Sequence, residues 1–156
     1  DGVVNSVDVC NVIPAMKAGR IAEIAGITEG NWAPVNAADM SSKMDENIHV
    51  LGDAAAQGDM PKSGFSANSQ AKVCANAVRG ALTGSTIFPA RFANTCWSLI
   101  APNDGVKVGA TYEATDEKIA SVAGFVSATG ESDEVRQATY QESIGWYDGI
   151  VSDMFS

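Results

Sequence analysis

The sequence predicts a mixed α/β to α+β fold, in which alternating strands and helices are followed by an antiparallel sheet and a terminal helix. In the first half, short apolar runs alternate with stretches of helical spacing, as at 7–13 and 66–79. In the second half, apolar runs of strand length follow one another at 92–100, 105–114 and 119–127. The 156 residues suffice for one ordinary domain, or for two small layers that share a core.

The first half of the chain is predicted to hold short elements. Residues 7–13 have the apolar pattern of a largely buried strand, and residues 15–25 favour a short helix. Residues 31–36 are expected to be extended because Pro34 excludes a helix interior, and the polar stretch 39–47 is expected to be a loop. A sheet is therefore predicted to begin near the start of the chain.

An apolar run of strand length, residues 48–51, leads directly into Gly52 and Asp53. A strand that ends in this way places the carboxylate at the carboxyl edge of a sheet, where open α/β sheets bind ligands. Asp53 could there accept hydrogen bonds from ribityl or ribose hydroxyls, while Gly52 would let a ligand lie against the backbone. The alternative is that the Gly-Asp pair simply makes a turn.

The helix predicted over residues 66–79 ends near Gly80. Its N-terminus near Ser66 offers unpaired backbone amide groups and the positive end of the helix dipole, which suit the negative charge of a reduced flavin around N1 and O2. Lys62, just before the helix, could support the same anionic form, or it is a solvated surface lysine. The order of strand, Gly-Asp, loop and helix N-terminus therefore suggests a flavin site.

The strands of the second half are predicted to form an antiparallel meander, because residues 102–105 supply a turn between the first two. The last segment begins with Ser132 as an N-cap followed by two acidic residues, as expected of a helix N-terminus. Gly145 and Gly149 are poor helix formers that could break this helix. Its apolar side chains are predicted to fall close to one face: Val135, Ala138, Ile144, Tyr147, Ile150, Val151 and Met154.

The three cysteines and the single histidine lack the spacing of a zinc site or a haem attachment. Cys10 lies in the pattern of a buried strand and Cys74 in an alanine-rich helix, so both are interpreted as small packing residues. Cys96 precedes Trp97, a setting that suits either the core or an accessible redox thiol. His49 is interpreted as a structural residue rather than a proton shuttle.

The charge and the missing motifs narrow the possible functions. Ten basic and nineteen acidic residues give a net charge of −9, which argues against a nucleic-acid or anionic-membrane surface and permits a basic protein partner. No apolar stretch reaches the roughly 18–20 residues of a membrane span. The motifs G-x-G-x-x-G, G-x-x-x-x-G-K-[ST] and G-x-S-x-G are missing, so the pyrophosphate half of any dinucleotide site lies elsewhere. We expect the chain, which opens with D-G-V-V, to be part of a longer polypeptide.

Several blocks of the sequence resemble one group of proteins. I-H-V-L-G-D-A-A at 48–55 is similar to the second FAD-binding motif of the two-dinucleotide-binding-domain (pyridine nucleotide-disulfide reductase-like) flavoproteins, and N-W-A-P-V-N at 31–36 to the segment that returns the chain to their FAD domain. More narrowly, the chain resembles the flavoprotein subunit of flavocytochrome c sulfide dehydrogenase over essentially its whole length. The blocks are N-V-I-P at 11–14, A-G-R-I-A at 18–22, M-P-K-S-G-F-S-A-N-S-Q-A-K-V at 60–73, N-T-C-W-S-L-I-A-P at 94–102 and S-I-G-W-Y-D-G-I-V-S-D-M-F at 143–155.

This resemblance implies a domain organisation and an activity. Residues 1–30 would be the tail of a pyridine-nucleotide-like domain, residues 31–84 the returning half of a FAD-binding Rossmann-like domain, and residues 85–156 a C-terminal sheet-plus-helix domain. The resemblance implies a periplasmic enzyme that oxidises sulfide at FAD with the help of a redox-active disulfide. Electrons would pass singly to a c-type cytochrome subunit, which carries the haem.

The resemblance also implies roles for individual residues. Cys96 would be the catalytic residue, and its disulfide partner would belong to the remaining N-terminal part of the same flavoprotein. Sulfide would attack the disulfide, and the released thiolate would reduce the flavin at C4a. Asp53 would hold the ribityl chain and the 60–70 segment would meet the flavin ring. The expected cofactor-binding residues are Gly52, Asp53, Lys62, Ser63, Gly64, Phe65 and Ser66.

Two alternatives remain open at this point. The first is a related FAD-dependent reductase, linked to quinone or NADH, although the charged last segment is too polar for the membrane-binding helix expected of a quinone enzyme. The second is a non-catalytic module that docks a cytochrome. The docking module predicts that sulfide oxidation survives replacement of Cys96.

Overall fold

Two sheets and three α-helices are formed by residues 2–4 and 6–155, which the computed structural model describes. A two-stranded parallel sheet lies in the first half and a three-stranded antiparallel sheet in the second. In chain order the elements are α1 (Arg20–Ile24), β1 (Ala33–Pro34), a 3₁₀ turn (Gly52–Ala54), β2 (Ala55–Ala56), α2 (Gly64–Thr83), β3 (Arg91–Ala101), β4 (Asp104–Ala114), β5 (Ile119–Val126) and α3 (Asp133–Phe155).

The strand predicted over residues 7–13 is not formed. This segment has no strand partner in the described part of the chain, and side chains such as Val9 and Val12 are largely exposed. An apolar run becomes a strand only where another strand satisfies its backbone groups, and the pattern of apolar residues alone does not supply one. The buried strand is therefore a wrong prediction, and so is the interpretation of Cys10, which is exposed, as a packing residue.

The next predicted elements are present in shorter form. The helix predicted over 15–25 is reduced to α1, and the extended stretch 31–36 contains β1, which pairs in parallel with β2. The strand predicted over 48–51 is wrong, because only a single bridge joins His49 to Ser41. The 3₁₀ turn then begins at Gly52, so Gly-Asp precedes the short strand β2 and does not end a strand.

Helix α2 is longer than predicted at both ends. Ser63 caps its N-terminus by accepting the Ser66 amide proton, and Gly84, in the left-handed conformation with φ 69°, ends it. Gly80 lies inside the helix, and Ile87 packs where a Cβ atom of residue 80 would stand. This glycine serves close packing and does not terminate the helix.

The antiparallel meander is confirmed. The strand order is β3-β4-β5, which leaves β3 at an edge of the sheet. In this register Cys96 pairs with Val108, which in turn pairs with Val126, so the three side chains form one row across the sheet. Helix α2 packs against β3, while α3 packs against β4 and β3.

Helix α3 begins where the sequence predicts and runs unbroken through Gly145 and Gly149. Its predicted apolar face is wrong in part, because Val135, Ile144, Tyr147 and Met154 are exposed, whereas the buried side chain of the helix is Thr139. Polar contacts and close packing hold the helix instead. Its backbone passes so near Gly105 that a Cβ atom there would lie 3.1 Å from the Tyr140 nitrogen, and three ion pairs connect it to its neighbours: Arg136 with Asp104, Glu142 with Lys107, and Asp153 with Lys72.

One hydrophobic core joins the first half of the chain to the second. Its buried members are Val35, Ala37, Met40, Ala55, Met60, Cys74, Phe92, Tyr112 and Ile119. The loop before α2 also contacts β5 directly, because the Asp59 amide donates to the Ile119 carbonyl at 2.9 Å and the Asp59 carboxylate pairs with Lys118. The segments on either side of residue 85 therefore stabilise each other.

Among residues 2–4 and 6–155, no helix combines the length and the apolar composition that crossing a membrane requires.

Candidate functional site

A cavity of about 450 Å³ lies where the N-terminus of α2, the edge strand β3 and helix α3 meet. Cys96 contributes to its wall and is partly exposed. The lining residues are Ser63, Gly64, Phe65, Thr95, Cys96, Trp97, Leu99, Ser143, Trp146 and Tyr147. Four residues that the sequence nominates, Ser63, Gly64, Phe65 and Cys96, therefore line a single cavity.

The N-terminus of α2 is built to present polar groups to this cavity. The Ser63 hydroxyl satisfies the amide of Ser66, but the amides of Gly64 and Phe65 belong to the first turn, where a helix offers no carbonyl partner. The same end of the helix carries the positive end of its dipole. Together these groups favour an anion or an electronegative ring edge.

Asn94 connects this helix end to Cys96. It is buried, with 3% of its surface exposed, and its Oδ1 accepts hydrogen bonds from the hydroxyls of Ser63 and Ser66. Its Nδ2 lies 3.4 Å from the Cys96 sulfur. The two residues are two positions apart in β3, so both side chains point to the same face of the sheet.

Lys62 is bound to the loop and is neither a free cation nor a solvated lysine. Its ammonium donates to the carbonyls of Asp53 at 2.7 Å and Ala55 at 2.8 Å, and lies 3.7 Å from the centre of a Trp32 ring. Partial burial lowers the pKa of Lys62, and the negative charge of Asp53 offsets part of that shift. The lysine thus holds the Gly-Asp turn, an interaction that neither interpretation of the sequence anticipated.

The Gly-Asp turn lies against the first turns of α2. Gly52 adopts φ 70°, and a Cβ atom at this position would lie 3.4 Å from the Ala67 methyl group. Its amide donates to Gln70 at 2.7 Å, which fixes the turn on the helix. Asp53 is exposed beside this contact, so its carboxylate is available to a ligand that approaches the helix N-terminus.

A pair of buried glutamines supports the loop between the Gly-Asp turn and α2. Gln70, fully buried, accepts from the Gly52 amide and donates to Gln57 at 3.0 Å. Gln57 in turn donates to the carbonyls of Met60 and Pro61. The side chains of Gln57 and Gln70 are both buried, so their polar atoms depend on this network for hydrogen bonds.

Replacing Gln70 with leucine, which is of similar size, is expected to lower the free energy of unfolding by about 2–4 kcal/mol, because the Gly52 amide and the Gln57 carbonyl lose their partners. The measurement is urea unfolding of the full-length protein. Gln141→Leu, an exposed position on α3, is the matched control and should change little. Equal stability of the two variants would contradict the role of the glutamine pair.

Three aromatic rings form one side of the cavity. Phe65 stacks on Trp146 with ring centroids 5.6 Å apart, and Trp97 lies 6.0 Å from Phe65 and 5.9 Å from Trp146. The Trp97 indole nitrogen is buried and makes no hydrogen bond within the described residues. This cluster attaches α3 to the N-terminus of α2.

The other two cysteines lie outside the cavity. Cys74 is buried in α2, where desolvation, together with the charge of Asp39, raises the pKa of its thiol, as expected of an unreactive packing residue. Cys10 is exposed near the start of the chain. Neither residue lines the cavity that contains Cys96.

The sequence missed the residues that connect the predicted site residues. The site residues predicted from the sequence do not include Asn94, Gln57 or Gln70. They also do not include Trp146, although it lies within the matching sequence block 143–155. Asn94 could have been found from strand periodicity, because residue i−2 shares the face of Cys96. The buried glutamines have no comparable signal, since glutamine is usually exposed.

The residues of this region fit a flavin. First-turn amides suit the electronegative pyrimidine edge, the exposed Asp53 carboxylate can accept hydrogen bonds from ribityl hydroxyls, and Cys96 supplies a thiol beside the same helix end.

Comparison with protein families gives an independent result. Residues 88–155 match the family described as flavocytochrome c sulphide dehydrogenase, flavin-binding. The match covers β3, β4, β5 and α3, and includes Cys96. Over residues 88–155 the chain is therefore similar to the flavin-binding family of flavocytochrome c sulphide dehydrogenase, a flavoenzyme.

Proposed function

We propose that this chain is the C-terminal part of a FAD-dependent flavoprotein subunit that oxidises sulfide through a redox-active disulfide. The observation that carries the proposal is that Cys96 shares one cavity with the first residues of α2, within a region that matches a flavin-binding family. The proposal extends to a c-type cytochrome subunit as the electron acceptor and to a periplasmic location. The family name supports the cytochrome, and the location follows from the resemblance alone.

In this proposal, several residues bind FAD. Asp53 accepts hydrogen bonds from the ribityl hydroxyls, and the amides of Gly64 and Phe65 donate to the pyrimidine edge of the ring. Lys62 and Gly52 act indirectly, because their hydrogen bonds hold the turn that presents Asp53. Ser66 acts through Asn94.

Cys96 is the catalytic residue of the proposal, and its disulfide partner is a cysteine in the remaining N-terminal part of the same subunit. Sulfide forms an S–S bond with one of the two cysteines as the disulfide breaks, and the displaced sulfur keeps the electron pair as a thiolate. Bound FAD supplies a two-electron acceptor that can release electrons singly. Cys96 is partly exposed in the wall of the cavity, so sulfide can reach its sulfur.

The proposed domain division follows the resemblance. Residues 1–30 close a pyridine-nucleotide-like domain, residues 31–84 complete the FAD-binding domain, and residues 85–156 form the C-terminal domain. The start of the family match at residue 88 supports the second boundary. A shared core packs the two parts together across that boundary, which supports the proposal that both contribute to one wall of the flavin site.

The proposal is tested with the full-length subunit, purified with its flavin and titrated with sulfide without oxygen. We expect the visible flavin absorption to bleach on addition of sulfide, and to return when an oxidised c-type cytochrome is added. A properly folded full-length subunit that binds no flavin would overturn the proposal and favour the docking module. Bleaching by NADH or reoxidation by a quinone alone would favour the related reductases.

A further inference from the structure

Asn94 has a fixed orientation that determines what it offers to Cys96. Ser63 accepts the Ser66 amide proton on its oxygen and donates its hydroxyl proton to Asn94 Oδ1, which lies closer to it than the Ser66 hydroxyl oxygen does at 3.2 Å. The Ser66 hydroxyl reaches the same oxygen at 3.2 Å. With Oδ1 occupied by hydroxyl donors, the amide presents its Nδ2 protons, and these face the Cys96 sulfur at 3.4 Å.

We propose that Asn94 is a positioning residue that stabilises the thiolate of Cys96 by donating a hydrogen bond to its sulfur. This inference rests on the proposed function and deepens it. A donor to the charged form of a group favours that form, and the effect is strongest where water is excluded. Asn94 is buried, so its amide has few competing partners.

The hydrogen bond matters when the disulfide opens. Sulfide forms a new S–S bond with the partner cysteine, the old S–S bond breaks, and its electron pair stays on Cys96. No proton has to be transferred to the displaced sulfur, because Asn94 Nδ2–H already points to it. The electron pair then remains available for transfer to bound FAD.

Few ionisable groups compete with this contact. From β4, Tyr112 faces the same side of the sheet; burial raises the pKa of its hydroxyl, and negative charge on Cys96 and Asp59 adds to the shift. From α3, Tyr147 lines the cavity. The N-terminus of α2 contributes Ser63, Gly64 and Phe65, and the row across the sheet continues with Val108 and Val126, none of which is ionisable.

The test uses the full-length flavoprotein subunit with its disulfide reduced by excess reductant. Short pulses of iodoacetamide at a series of pH values, followed by mass spectrometry of the peptide that contains Cys96, give the pH midpoint at which this thiol becomes reactive. In Asn94→Leu we expect this midpoint to rise by about one pH unit, so that alkylation at pH 7 slows about tenfold. In Asn94→Asp we expect a larger rise, because a carboxylate replaces the donor.

Controls separate this effect from a loss of structure. Ser69 lies on the same interface, where its hydroxyl accepts the Ala93 amide, so Ser69→Ala should leave the Cys96 midpoint unchanged. Cys10, which is exposed, should react equally in all variants, and Cys74, which is buried, should stay protected. A reactive Cys74 in Asn94→Leu would show that this variant has lost structure. The result for Asn94→Asp then decides whether Asn94 stabilises the thiolate, because aspartate keeps the oxygen acceptor for the hydroxyls of Ser63 and Ser66.

An unchanged Cys96 midpoint in the folded variants would overturn the inference. That outcome is distinct from failure of the proposed function, which is judged by flavin bleaching with sulfide in the unaltered subunit. A shifted midpoint in a subunit that sulfide does not bleach would support the contact and reject the sulfide reaction.

Discussion

Replacing Cys96 with serine in the full-length flavoprotein subunit is expected to abolish flavin bleaching by sulfide. Serine keeps the size of the side chain but cannot form a disulfide, so sulfide has no S–S bond to attack. Loss of a group that takes part in bond breaking typically costs roughly 10³-fold or more in rate. The measurement is stopped-flow absorbance of the flavin after mixing with sulfide without oxygen.

The control for this experiment is Cys10→Ser. Cys10 is an exposed thiol outside the cavity, so its replacement should leave the bleaching rate and the flavin content unchanged. Both variants should bind flavin with the unaltered visible spectrum, because serine is close to cysteine in size and its oxygen can accept the hydrogen bond that Asn94 donates at position 96. A Cys96→Ser subunit that sulfide bleaches at the normal rate would contradict the disulfide route and favour the docking module.

Replacing Gly58 with alanine is expected to cause the largest loss of stability in this region. Gly58 adopts φ 64°, and a Cβ atom there would stand 2.5 Å from the Ile119 carbonyl oxygen and 3.0 Å from the Ile119 nitrogen. The loop must therefore move away from β5, which breaks the hydrogen bond from the Asp59 amide. We expect the free energy of unfolding to fall by about 2–5 kcal/mol, measured by urea unfolding of the full-length protein.

Gly130→Ala is a matched control for this variant. Gly130 adopts φ 82°, but nothing lies within 4 Å of the position of its missing Cβ. The loss of stability in Gly130→Ala therefore measures only the cost of placing alanine at a positive φ, about 1 kcal/mol. A loss at Gly58 no larger than at Gly130 would show that the contact with Ile119 is not tight in solution.

The parts of the fold that the sequence predicts well are those whose partners lie nearby in the chain. The meander of β3, β4 and β5 follows from apolar runs joined by the turn at 102–105, and α2 follows from the helical run 66–79, which the structure extends to a cap at Ser63. In each case the neighbouring residues supply the pairing or the cap, so a local pattern contains enough information.

The predictions that failed concern apolar residues for which the neighbouring part of the chain supplies no packing or pairing partner. Residues 7–13 and 48–51 have the composition of strands, yet no neighbouring strand forms a ladder with them in the described part of the chain. Helix α3 is held by ion pairs, close backbone contact and the stacking of Trp146, while Ile144 and Met154 remain exposed. The helical spacing of apolar residues correctly predicted α3, but it predicted the wrong residues for the packed face of the helix.

The candidate site shows the same division. The role of Cys96 follows from the family resemblance and the segment around Ser63 from the predicted helix position, and the structure brings them to one cavity. The contact through Asn94 joins residues about 30 positions apart, and no local pattern reports a hydrogen bond of that kind. Lys62 was selected for its charge, but its geometry depends on Trp32, which only the folded chain brings near.

The shared core has a consequence for the order in which the protein folds during synthesis. Val35 and Met60 belong to the same buried cluster as Ile119. They therefore become fully buried only after β5 has emerged from the ribosome. Contacts between residues so far apart form slowly, because the intervening chain must first be closed into a loop. Until then the Gly-Asp turn and the start of α2 lack one of their supports, so flavin capture is expected to follow completion of the C-terminal sheet rather than precede it.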